Sequence, residues 1–78
     1  MTVEELRAWR DTSPFRPFTI RLADGRSFRV WHRDYLLVSP RGRTIIVYND
    51  DESCNVLDLL LVTELSVEAP VATPGGSI

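Results

Sequence analysis

The chain has 78 residues, its nine basic side chains are all arginines, and all nine lie between Arg7 and Arg43. Residues 1–43 set those nine arginines against five acids, a net of +4, whereas residues 44–78 carry six acids and no base, a net of −6. A single cysteine excludes an intrachain disulfide, and one Cys with one His cannot complete the four ligands of a zinc site.

A core this small typically yields only ~3–5 kcal/mol of net stability, so oligomerisation is the expected support. The charge split predicts a basic and an acidic surface, suited to head-to-tail self-association or to an anionic partner. The overall charge of −2 weighs against general nucleic-acid binding. MTVEELRAWR lacks a basic region followed by an apolar stretch, and the apolar run Leu59 to Val62 is far short of the ~20 residues of a membrane helix. A cytoplasmic protein with no membrane segment is expected, and a reducing compartment tolerates the free thiol of Cys54.

Thr2-Val3-Glu4-Glu5 has the pattern of a capping box, and two acids suit the positive end of a helix. Val3, Leu6 and Trp9 or Arg10 follow at helical spacing, so the sequence predicts a short helix ending near Asp11, before Ser13-Pro14. Phe15-Arg16-Pro17-Phe18 then reads as a stiff connector. From Phe18 the period becomes two: Phe18, Ile20 and Leu22 face one way, and Thr19, Arg21 and Ala23 the other. A two-residue Asp24-Gly25 turn would set Ile20 opposite Arg29. A three-residue loop, Ala23-Asp24-Gly25, sets Ile20 opposite Phe28 and Phe18 opposite Val30, and puts glycine where a left-handed residue is needed.

Tyr35 to Ser39 predicts a third short strand after a bend near His32-Arg33-Asp34. Pro40-Arg41-Gly42 is a turn, and Thr44 to Tyr48 (TIIVY) is the clearest strand. Asn49 to Ser53 makes a polar hairpin loop. Cys54 to Leu60 and Thr63 to Val67 are two further strands about a kink at Leu61-Val62. Leu59, Leu60, Leu61 and Val62, apolar in succession, predict a segment buried on both sides or pressed against a neighbouring subunit as an oligomer edge. The domain is expected over residues 1–68. Residues 69–78, rich in Pro, Gly and small side chains, read as a disordered tail.

The fold class expected is mainly β (α+β): one N-terminal helix and a five- to six-stranded antiparallel small barrel or strongly bent sheet. The capped helix Thr2 to Arg10, the unit FTIRLADGRSFRV and the ending VLDLLLVTELSV resemble Sm-like or SH3-like small barrels over about residues 2–67. In Sm-like proteins such an ending pairs with the next subunit and closes a ring that binds single-stranded RNA. Where Sm-like RNA chaperones tend to carry a Lys-His type signature, this chain has Leu57-Asp58-Leu59-Leu60. The run FRPFTIRLADGRSFRV…SPRGRTIIVY…LDLLLVTELSV also resembles a group of short uncharacterised bacterial proteins of planctomycete-like genomes, which implies no particular role.

His32-Arg33-Asp34 matches a kinase catalytic-loop triplet but has no Gly-rich loop or metal-binding Asp-Phe-Gly beside it. His32 with Arg33, Tyr35 or Tyr48 has the makings of a small metal-free ribonuclease, although a strand-end histidine bonded to backbone is the simpler reading. Cys54 reads as a small buried hydrophobe, and Asp50-Asp51-Glu52 as a solvated hairpin tip without calcium-loop spacing. The strongest functional group is Arg21, Arg29, Trp31 and Arg33, an outward face if Ile20, Phe28 and Val30 face the core. It suits a protein or self-interface first and nucleic acid second. The competing expectation is that Trp31 packs under the helix against Trp9. The sequence therefore predicts a non-enzymatic interaction module with no cofactor and no metal, acting as a homo-oligomer or on a protein partner. An RNA-binding ring is the alternative, and the ribonuclease a distant third.

Overall fold

In a computed structural model the described residues, 1–67, form one helix and six antiparallel strands. The expected disordered tail at 69–78 lies outside them. Helix α1, Val3–Asp11, begins with the capping box: the Thr2 hydroxyl accepts from the Glu5 amide at 3.2 Å, and the Thr2 amide donates to Glu5 Oε1 at 3.1 Å. It buries Leu6 completely, and Trp9 meets Phe18 edge-on with ring centroids 5.4 Å apart. After Asp11 the Thr12 hydroxyl donates back to the Ala8 carbonyl at 2.7 Å, which satisfies one of the orphan acceptors of the last turn.

Strands β1, Phe18–Leu22, and β2, Ser27–Val30, pair as the parity argument requires, with Phe18 opposite Val30 and Ile20 opposite Phe28. The loop closes through Leu22 N–H to Arg26 C=O at 2.9 Å, and Gly25 takes φ +93°. A 3-10 turn at Arg33–Tyr35 leads to β3, Leu36–Val38, then β4, Thr44–Tyr48, and β5, Cys54–Asp58. A second 3-10 turn at Leu59–Leu61 leads to β6, Val62–Ser66. The strands form two three-stranded sheets, ordered β2-β1-β6 and β3-β4-β5.

The sheets do not close into a barrel. The chain crosses between them twice, from β2 to β3 and from β5 to β6, and at each crossing a 3-10 turn interrupts the ladder. Among the described residues four strand edges are left: β2 and β6 on one sheet, β3 and β5 on the other. The inner faces share one core, with Phe18, Ile20 and Val30 meeting Leu36, Ile45 and Val47, and Leu6 of the helix packed among them. Gly42 explains how the helix approaches the second sheet. It has φ +76°, and a Cβ there would sit 2.7 Å from Val3 Cγ2, so a side chain would push the helix start away.

Two expectations about burial are corrected here. Cys54 is exposed, because its register partner is Tyr48, on the outer side of a strand that buries Ile45 and Val47. The run Leu59 to Val62 is not buried on both sides either, and its four residues divide. Leu59 and Val62 are buried in the core, and only Leu60 and Leu61 reach solvent. The 3-10 turn repeats every three residues, so it turns residues 59 and 62 to the same side.

Candidate interaction surface

The outer face of β2-β1-β6 collects side chains that alternate with the core residues. Arg21 on β1 is opposite Ser27 on β2, and Thr19 is opposite Arg29. With Trp31, just beyond β2, these four line a shallow depression of about 350 Å³. Three of the four residues expected on this face, Arg21, Arg29 and Trp31, are thus brought together. Trp31 is 48 % exposed, and the Arg29 guanidinium lies over its ring, 4.8 Å from the centroid. Stacking of this kind holds both planar groups in one orientation. Arg29 Nη1 also donates to the Thr19 hydroxyl at 3.3 Å, which ties the stack to the floor of the depression, where Thr19 is buried.

Arg21 has a looser setting. Its Nε is 3.9 Å from Glu64 Oε1 on β6, and both side chains are about half exposed. A solvated pair at that distance contributes little and exchanges readily for another carboxylate.

Arg33 is not part of this face. Its Nε donates to the Arg10 carbonyl at 2.9 Å and its Nη2 to the Thr12 carbonyl at 2.7 Å, and its guanidinium lies 5.7 Å from the Phe15 ring centroid. The 3-10 turn redirects the chain after Trp31, so the alternation that would have kept Arg33 beside Arg29 ends one residue too early. Arg33 instead caps the last turn of α1, where a cation suits the carbonyl end. The packing of Trp31 against Trp9 is also not found, since Trp9 is engaged with Phe18.

His32 meets the ring of Tyr35 edge-on at 5.0 Å, and the neighbouring arginine is turned toward the helix. A second concavity of about 350 Å³ lies beside Asp34, Tyr35, Tyr48, Asn49, Asp50 and Glu52. The sequence reading missed this gathering, because Asp34 joins the hairpin tip only through the fold. Among the described residues no group of three or more His, Cys, Asp or Glu side chains is placed to hold a metal ion. Nor is any helix among them long and apolar enough to cross a membrane. Compared with known proteins, the chain matches no family model, no curated protein and no solved structure.

Proposed function

We propose that this chain is a non-enzymatic interaction module whose outer β2-β1-β6 face docks a protein, a second copy of itself included. The observation that carries this reading is Trp31, half exposed and held under Arg29 beside a loosely paired Arg21, in a concave patch. Trp and Arg dominate interface hot spots because they offer large contact area and forked hydrogen bonding at little ordering cost. An aromatic side chain already fixed by a stacked guanidinium loses still less freedom when a partner covers it.

An RNA-binding reading is less well supported, because the depression offers one exposed ring and two arginines, where a nucleic-acid strand calls for several stacked rings and a line of cations. A nuclease centred on His32 would need a neighbouring phosphate clamp, and Arg33 is engaged with the helix carbonyls instead. The finer architectural reading, an opened relative of the Sm-like or SH3-like barrel, rests on the 3-10 turn before the last strand and the pairing of β6 with β1. The exposed thiol of Cys54 favours a reducing compartment such as the cytoplasm.

The test is a photo-crosslinking residue placed at Ser27, on the rim of the depression, and activated in the expression host. The expected result is protein adducts that disappear when Trp31→Ala is added. Adducts with nucleic acid alone, or none, overturn the reading.

A further inference from the structure

We propose that the protein seated on the Arg21–Trp31 face is a second copy of this chain, which inserts its β4–β5 turn, so that copies join head to tail. This rests on the docking role proposed for that face and names its occupant. The face is cationic, aromatic and concave, so its ligand should be compact, convex and rich in carboxylates. The turn at Asn49–Ser53 has those properties. It is exposed throughout, and it carries Asp50, Asp51 and Glu52 in succession.

The turn is also closed by its own hydrogen bonds. Asn49 N–H donates to the Ser53 carbonyl at 2.8 Å, Glu52 N–H donates to the Asn49 carbonyl at 3.0 Å, and Asn49 Nδ2 donates to the Ser53 hydroxyl at 2.8 Å. The Asp51 carboxylate accepts from both the amide and the hydroxyl of Ser53, so it serves the turn itself. Asp50 and Glu52 have no hydrogen bond or ion pair from their side chains among the described residues. A ligand with its backbone fixed and two carboxylates uncommitted pays little ordering cost on docking.

The acids of the carboxyl-terminal half single out this turn. Asp58 is paired with Arg43 at 3.1 Å, and Glu64 stands near Arg21 on the receiving face. Of the five acids at 44–67, that leaves Asp50 and Glu52 as the uncommitted pair, with Asp34 adding charge at the same end of the molecule. The receiving face belongs to one sheet and the turn to the end of the other, and no ion pair joins Arg21 to Asp50 or Glu52 within the chain. The contact is therefore between copies and joins unlike surfaces. Each pair leaves one face and one turn open, so association continues to a closed ring or an open filament. Docking exchanges the loose Glu64 contact of Arg21 for carboxylates of the incoming turn. Such charge pairing sets register and weakens with salt.

The experiment is sedimentation equilibrium of the full chain at low and high salt, with two variants whose folding is checked by circular dichroism. Arg21→Glu disables the face, and Asp50→Arg with Glu52→Arg disables the turn. Trp31→Ala and Asp50→Asn with Glu52→Gln serve as substitutes should either charge reversal fail to fold. Wild type is expected to associate with rising concentration, less so at high salt. Each variant alone should associate about thirtyfold or more weakly, as loss of an interface hot spot does. An equal mixture of the neutral variants, Trp31→Ala with Asp50→Asn plus Glu52→Gln, should form a heterodimer and stop there, because the one intact face meets the one intact turn and the two disabled surfaces carry no opposite charges to join them.

A wild type that stays monomeric at every concentration overturns the proposal, as does a mixture that stays monomeric while wild type associates. If the crosslinker at Ser27 then still captures a different protein, the docking face stands and only its occupant is wrong. If Ser27 captures no protein, both readings fall together.

Discussion

The outer faces of the two sheets obey the same alternation and carry opposite chemistry. On β2-β1-β6 the outward positions are Thr19, Arg21, Ser27, Arg29, Glu64 and Ser66, all polar or charged, and the first four line a depression. On β3-β4-β5 the register sets Leu37 opposite Ile46 and Ile46 opposite Val56, an apolar row across all three strands. Leu37 is 47 % and Val56 66 % exposed. Three side chains in a row cover far less than the roughly 800 Å² per partner of a stable interface. The row also has no charge to orient a partner. The charged face has concavity, a fixed aromatic ring and exchangeable ion pairing, whereas the apolar face has only exposure. Period-two alternation thus assigns inside and outside, but the capacity to select a partner comes from what the outward residues do to one another.

The largest expected effect comes from the core that both sheets share. Phe18 is fully buried beneath Trp9 and Phe15 and packs against inward residues of both sheets. Phe18→Ala should cost about 3–5 kcal/mol, comparable to the ~3–5 kcal/mol a core of this size supplies. The variant should show no cooperative urea transition by circular dichroism, and both faces should vanish together. A cooperative transition weakened by less than ~1 kcal/mol would mean that the two sheets do not depend on this residue.

Much of this was legible in the sequence where one local rule decides the outcome. The capping box, the Gly25 loop and the register of β1 with β2 follow from spacing and parity. The β3-β4-β5 sheet was less legible at its last strand, because Val56 and Leu57 are adjacent and both apolar. Only pairing with β4 decides that Leu57 faces in and that Cys54 and Val56 face out. The Leu59–Val62 run was opaque for a different reason: neither period two nor a uniform apolar segment reveals a three-residue repeat. Arg33 left no signal at all. Its partners are backbone carbonyls of Arg10 and Thr12, which no residue type advertises. Closure of the barrel was likewise beyond local reading, since it depends on whether the ladder survives each crossing.

Arg33 was expected on the charged face and serves the helix instead. Arg33→Ala removes two hydrogen bonds to helix-end carbonyls and should cost about 1–2 kcal/mol in urea unfolding. It should leave crosslinking at Ser27 unchanged. Loss of crosslinking with stability intact would return Arg33 to the docking face.

The smallest effect concerns the crossing from the apolar-faced sheet to the charged-faced one. Asp58 caps the 3-10 turn, accepting from the Leu60 amide at 2.9 Å and from Arg43 Nε at 3.1 Å. The Leu60 amide first and the Arg43 guanidinium second hold its carboxyl below the usual 3.8. The folded carboxylate is therefore harder to protonate than the unfolded one. Its stabilisation is complete above the unfolded value and is lost as pH falls through the lower folded one. Glu5, Asp11, Asp24 and Asp51 are lowered too, each by a hydrogen bond to its charged form, so the acid sensitivity of the whole chain is shared. In Asp58→Asn the side-chain oxygen can still cap Leu60, but the charge is gone. The variant should be slightly less stable than wild type near neutral pH, and the gap should close in acid, as pH falls through the lowered value of the folded carboxyl. A gap in urea midpoint that is the same at both pH values would show that Asp58 acts through geometry alone. In that case the crossing would be held by the 3-10 turn itself, with its charge contributing nothing to the junction between the two sheets.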